Sequence, residues 1–176
     1  VFTDETGIAP GNSGWYFTEF TNILTTDNGY VSGTWITQYA TINRVNRLLK
    51  LAQNFTPPPA DVVAYNSVIA EARAVRALAY LELEAYFSTD MSNNSALGVM
   101  KLIDVPSIDS PVLPRVTNGE IYSLIESDLN FAEANLVTNT NYKYVTKSLI
   151  YAIRARMYTY RKMYTQAQTN AQWVVD

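Results

Sequence analysis

Residues 61–87 read DVVAYNSVIAEARAVRALAYLELEAYF, a long run with neither glycine nor proline. Nothing in it interrupts a helix, and apolar residues recur at steps of three, four and seven. Tyr65, Val68, Ala72, Val75, Ala79 and Tyr86 form one apolar stripe, and Ala74, Leu78, Leu81 and Ala85 form a second. A helix apolar on two sides lies between neighbours rather than on a surface. Ala70, Ala72, Ala74, Ala77, Ala79 and Ala85 carry little side-chain bulk, so adjacent helices can approach closely. The rest of the chain is therefore expected to pack around this rod.

The partners of such a rod are also helical in pattern. From Val31 to Asn54, Trp35, Tyr39, Ile42, Val45, Leu49 and Ala52 hold a helical period, and Pro57, Pro58 and Pro59 end it. Thr117 and Glu120 have the spacing of a capping box, with Val116 and Ile121 placed to staple it. The helix they open carries Ile121, Leu124, Ile125, Asp128, Leu129 and Ala132 on one side. Thr146 can cap a further helix bearing Leu149, Ile153, Met157 and Tyr160. After a break at Arg161-Lys162 a last helix points Ala167, Ala171 and Val174 inward.

Two stretches lack this order. Residues 1–30 are punctuated by Gly7, Pro10, Gly11, Gly14 and Gly29, with a turn signal at Asp27-Asn28-Gly29. Residues 88–114 are polar and then proline-broken, with residues 97–105 expected either as loop or as extended chain over the core. The fold expected is all-α: tetratricopeptide-like stacked helical hairpins with long irregular N-terminal and mid-chain loops. Residues 1–176 are expected to form one domain, with 1–30 as the irregular region and 31–176 as the helical scaffold.

Composition removes several function classes. The net charge is -3 and no basic run exceeds two residues, so a nucleic-acid surface is not expected. No apolar run reaches the roughly 18 residues of a membrane span, and no signal-peptide pattern opens the chain. With no Cys there is no disulfide or thiolate metal site, and with no His the commonest general base is missing. Neither cofactor nor metal is expected. Glu82 and Glu84 suggest a glycosidase pair, but two residues apart on a helix they diverge by about 200° and cannot flank one bond. They read as exposed charge.

Within the last helix pair, Ala155, Tyr158 and Ala167 resemble the tetratricopeptide hairpin, in which small residues let two helices touch and an aromatic wedges between them. Four segments in order, the last of them containing this hairpin, resemble one family. They are Trp35 to Leu49, Ala70 to Tyr80, Leu113 to Leu129, and Thr146 to Ala167. The family is the SusD/RagB-like group of surface lipoproteins. The resemblance implies a non-catalytic protein of the outer-membrane surface, lipid-anchored through an N-terminal Cys not present in this sequence. It implies glycan or other nutrient ligands, delivered to a SusC-like TonB-dependent barrel transporter. It also implies that the family fold continues beyond Asp176.

Buried charge needs a partner, so Arg76 is expected to pair with Asp128 for structural reasons, with Arg73 and Glu71 in similar roles. Asn46, amid apolar neighbours, is expected to tie down loop backbone, and Trp35 to pack in the core. For ligand contact the candidates are Asn12, Trp15, Tyr16 and Tyr30, since sugar rings stack on aromatic faces and amides bind hydroxyls. The same aromatics can instead plug the core. A helical-repeat scaffold that binds only protein is the competing function.

Overall fold

A computed structural model describes residues 25, 27–138, 141 and 143–175. The chain divides into two compact units, Val1–Thr37 and Gln38–Asp176. In the first unit the described residues comprise the approach to a helix and its opening turns. In the second the elements surround the alanine-rich rod.

Helix α1 (Gly29–Ala52) starts where Asp27-Asn28-Gly29 signalled a turn. The Asn28 side-chain oxygen accepts from the Tyr30 and Val31 amides at 3.1 Å each, so the turn signal serves as an N-cap. The helix ends ahead of the prolines, and a 3-10 turn (Pro59–Asp61) leads into α2 (Val62–Phe87). Strands β1 (Leu97–Met100) and β2 (Arg115–Thr117) pair antiparallel, then come α3 (Asn118–Asn135), α4 (Lys147–Tyr160) and α5 (Tyr164–Val175). The all-α expectation holds, with one two-stranded ribbon added among the described residues. That ribbon realises the extended alternative for the start of residues 97–105.

The capping box is formed. The Thr117 hydroxyl accepts from the Glu120 amide, and the Glu120 carboxylate accepts from the Thr117 amide at 3.1 Å. Thr146 caps α4 by accepting from the Leu149 amide at 3.2 Å. α4 closes with Lys162 in the left-handed region, φ 58°. The Met163 amide donates to the Tyr158 carbonyl and the Lys162 amide to the Thr159 carbonyl, the paired bonds of a Schellman turn. That turn folds α5 back on α4 with Ala167 buried between them.

The core corrects two expectations. α2 packs most extensively on α3 through Ala70, Ala74, Ala77 and Leu81, all essentially buried. The stripe expected through Tyr65, Val68, Ala72, Val75, Ala79 and Tyr86 lies about half a turn away and is only partly covered: Ala79 is buried and Tyr65 and Ala72 half-buried, but Val68, Val75 and Tyr86 are 54%, 39% and 64% exposed. Both faces of α2 are apolar, so periodicity alone could not say which one α3 would choose. The alanine face allows the closer approach and so the larger contact. Likewise Ala171 and Val174 share the Ala167 side of α5 but are exposed, so that side is covered at its start, where Ala167 meets α4, and open further along. Trp35 is half-buried.

Candidate binding cleft

Four side chains from three helices meet where α1, α2 and α3 converge. Asp128 on α3 is fully buried and sits between two guanidinium groups. Arg76 Nε donates to its Oδ2 at 2.7 Å and Arg76 Nη2 to its Oδ1 at 2.8 Å, while Arg73 Nε donates to Oδ1 at 2.7 Å. The third Arg76 nitrogen, Nη1, donates to Asn46 Oδ1 at 2.7 Å. The Asn46 amide then donates to the Leu102 carbonyl at 2.9 Å. The Tyr80 hydroxyl donates to the same carbonyl and accepts from the Leu102 amide, each at 2.8 Å. Burial of that phenol raises its pKa to about 12, so it stays a neutral donor. Both expectations for this region hold: Arg76 pairs with Asp128, and Asn46 fixes loop backbone.

Asn46, Arg73 and Arg76 of this network line the inner wall of a cleft of about 590 Å³. Lys50, Gln53, Asn66 and Asp104 supply polar groups around it, and Tyr65, Ile69 and Phe131 supply apolar surface. The Arg73 guanidinium lies 4.5 Å from the centre of the Phe131 ring, which fixes the ring beneath a cation. The Tyr65 hydroxyl donates to the Ala52 carbonyl at 2.7 Å, so its ring is also held. A second, more apolar groove of about 480 Å³ shares Ala52, Tyr65 and Ile69 and continues along Leu48, Leu51 and Phe55. Held aromatic rings beside amides, Lys50 and Asp104 offer both apolar faces and hydrogen-bonding groups to a hydroxyl-rich ligand. Among the described residues no three or more acidic, His or Cys side chains cluster to hold a metal.

Glu84 departs from its reading as exposed charge. It is fully buried between α2 and the ribbon, and its Oε1 accepts from the Val99 amide at 3.1 Å. Among the described residues its Oε2 has no hydrogen-bond partner. Arg115 is nearby, but its guanidinium is committed to the Gly98 and Phe87 carbonyls. Burial raises the carboxyl from 4.5 to about 7, against smaller opposing effects of the Val99 amide and Arg115. A pKa near neutrality is also what a general acid needs. Glu84, however, has no exposed surface and does not line either groove. Glu82, two residues earlier, is paired at 2.5 Å with Arg156 on α4.

Of the candidate ligand contacts, Asn12, Trp15 and Tyr16 lie outside the described residues. Tyr30 stands on the first turn of α1, 49% exposed. The cleft was not legible as a site in the sequence, because Lys50, Gln53, Asn66 and Asp104 belong to three separate segments. The one available signal was the expected junction of Asn46 with a loop and of Arg76 with Asp128, which form its wall.

Fold and cleft together define a helical scaffold with an open cleft at the junction of three helices. Comparison with known proteins makes the class specific. A SusD-like family described as "Starch-binding associating with outer membrane" matches residues 4–159. A SusD-like protein of Bacteroides ovatus is 24% identical over 160 residues, 89% of this chain and 28% of that relative. A SusD superfamily protein from Bacteroides fragilis superposes with a TM-score of 0.81 at 25% identity, covering 93% of this chain and 39% of its own. A laminarin binding SusD-like protein has a TM-score of 0.64 at 25% identity, over 80% of this chain and 29% of its own. The chain belongs to the SusD-like family. It spans between about a quarter and two-fifths of the length of these relatives.

Proposed function

We propose that this chain is part of a non-catalytic protein that captures glycans at the outer-membrane surface and delivers them to a SusC-like TonB-dependent barrel transporter. The observation that carries the reading is the family match across residues 4–159, whose description names starch binding and the outer membrane. The likeness to a laminarin binding protein supports a glucan as the ligand class. The cleft beside Arg73 adds held aromatic surface and amides, a lining suited to sugar hydroxyls. Within this reading residues 1–176 act as one helical-repeat domain, a lipid anchor holds the whole protein to the membrane, and Asn12, Trp15, Tyr16 and Tyr30 contribute ligand contacts.

Calorimetric titration of the whole protein with starch and laminarin oligosaccharides tests the capture step, and co-purification with a barrel transporter from detergent-solubilised outer membranes tests delivery. Saturable binding of at least one glucan and recovery of the barrel are expected. Trp15→Ala is expected to weaken glucan binding while leaving the melting temperature unchanged. Binding to proteins with no glycan affinity would instead establish a protein-only scaffold and overturn the reading.

A further inference from the structure

The Glu84 carboxyl is closed in where β1 packs on both α2 and α3. Gly98 passes so near that an added methyl would lie 2.6 Å from Oε1. The charged and titratable groups that face it are Arg115 from β2, Tyr39 from α1 and Tyr122 from α3. Burial raises both phenols, so they stay neutral. The Arg115 guanidinium is committed to the Gly98 and Phe87 carbonyls. Among the described residues the Val99 amide is therefore the one hydrogen-bond donor to Glu84. Because burial is already complete, chain beyond this sequence can only thicken the seal.

From Val99 the chain runs directly into the wall of the cleft. The Met100 carbonyl accepts from the Tyr39 hydroxyl at 2.8 Å, Leu102 is held by Tyr80 and Asn46, and Ile103, Asp104 and Val105 line the cleft. We propose that Glu84 is a proton-operated latch on this segment. Protonated, it keeps the ribbon closed; on losing its proton to water it favours local opening of residues 99–102 and so loosens the cleft wall at 103–105. An ionised carboxylate with one hydrogen bond and no committed cation is costly away from water. Lifting the ribbon is the least costly way to wet it, since a two-stranded ribbon is marginal by itself and packs less extensively than α2 does on α3. The side chains that hold Met100 and Leu102 are two neutral phenols and an amide, so they do not release the segment over the same range. With the carboxyl at about 7 when closed and 4.5 when solvated, opening gains tenfold per pH unit between those values and levels off above, about 300-fold in all. The latch acts on the wall itself, whatever ligand the cleft holds.

The test is amide hydrogen exchange of the whole protein, wild type and Glu84→Gln, corrected for intrinsic rates, from about pH 5 to about pH 8. The Val99 and Leu102 amides report the latch, and those of Ala77 and Leu129, buried in the contact of α2 with α3, report global unfolding. In wild type, protection of Val99 and Leu102 is expected to fall on the order of a hundredfold across that range. It should stay below that of Ala77 and Leu129 throughout. In Glu84→Gln, which cannot ionise, the fall should vanish. A flat wild-type profile at Val99 and Leu102 would overturn the latch, whether or not the variant folds. The same slope in Glu84→Gln would assign it to another group and overturn the proposal. Exchange of Val99 and Leu102 only in step with Ala77 and Leu129 would overturn local opening. A slope at Val99 with none at Leu102 would overturn the link to the cleft wall.

Discussion

Asp128 on α3 and Glu84 on α2 are both carboxylates with no exposed surface. Around Asp128 three guanidinium N–H groups arrive within 2.8 Å, from Arg73 and Arg76. Around Glu84 one backbone amide arrives at 3.1 Å, one oxygen has no partner among the described residues, and burial lifts the pKa to about 7. A buried acid can be kept by counter-charge or by holding its proton, and α2 packs against the first and carries the second. The first arrangement locks three helices and a loop together. The second leaves the ribbon end of the fold sensitive to pH.

The largest expected effect comes from breaking the counter-charge. Asp128→Ala would leave Arg76 buried and unpaired, and removal of one partner from a buried pair costs about 3–5 kcal/mol. Urea unfolding of the variant is expected to show that loss, and a loss within about 0.5 kcal/mol, the size of a surface change, would erase the contrast with Glu84. Arg76→Ala should behave similarly.

Glu84→Gln comes next and should act in the opposite direction. Below pH 4.5 both folded and unfolded chains hold the Glu84 proton. From there to about 7 only the folded chain keeps it, so this residue's contribution to stability falls as pH rises and levels off above that point. The amplitude is roughly 3 kcal/mol by linkage. Subtracting the stability profile of Glu84→Gln from that of wild type should isolate this slope. A difference profile flat across the window would mean that Glu84 is ionised in the fold.

Gly98→Ala sharpens the crowding on the Glu84 side. A methyl there would lie 2.6 Å from Glu84 Oε1 and 2.9 Å from Asn118 Oδ1. Overpacking of this kind costs about 1–3 kcal/mol, read from the denaturation midpoint. The smallest effect, about 1 kcal/mol, is expected for Thr117→Ala, which removes the α3 cap and touches neither carboxylate. It sets the scale for an ordinary local loss.

What the sequence disclosed follows the same division. Local rules placed α2, the proline stop after α1, the Thr117-Glu120 box and the Thr146 cap, because each is settled within a few residues of chain. Arg76, Asp128 and Asn46 were also legible, since a charge or amide amid apolar neighbours must find a partner. Glu84 was misread because the residues that bury it, Val99 and Gly98 among them, come from the ribbon, whose pairing no local pattern announced. The exposed Val68 and Val75 stripe was misread for a related reason. Two apolar faces on one helix are equivalent until a neighbour chooses between them. The cleft was hidden because it is assembled from residues on separate elements.

The near-neutral carboxyl also bears on function. A Glu with a pKa of about 7 would serve as a proton donor if it reached a ligand, but Glu84 is sealed beneath the ribbon. The proposal that the whole protein holds a glycan and releases it unaltered therefore draws nothing from this group. The direct measurement is prolonged incubation of the whole protein with a glucan oligosaccharide it binds, followed by mass spectrometry of the recovered sugar. Saturable binding with every chain recovered at its original length is predicted. Shortened chains that accumulate with time would contradict the claim.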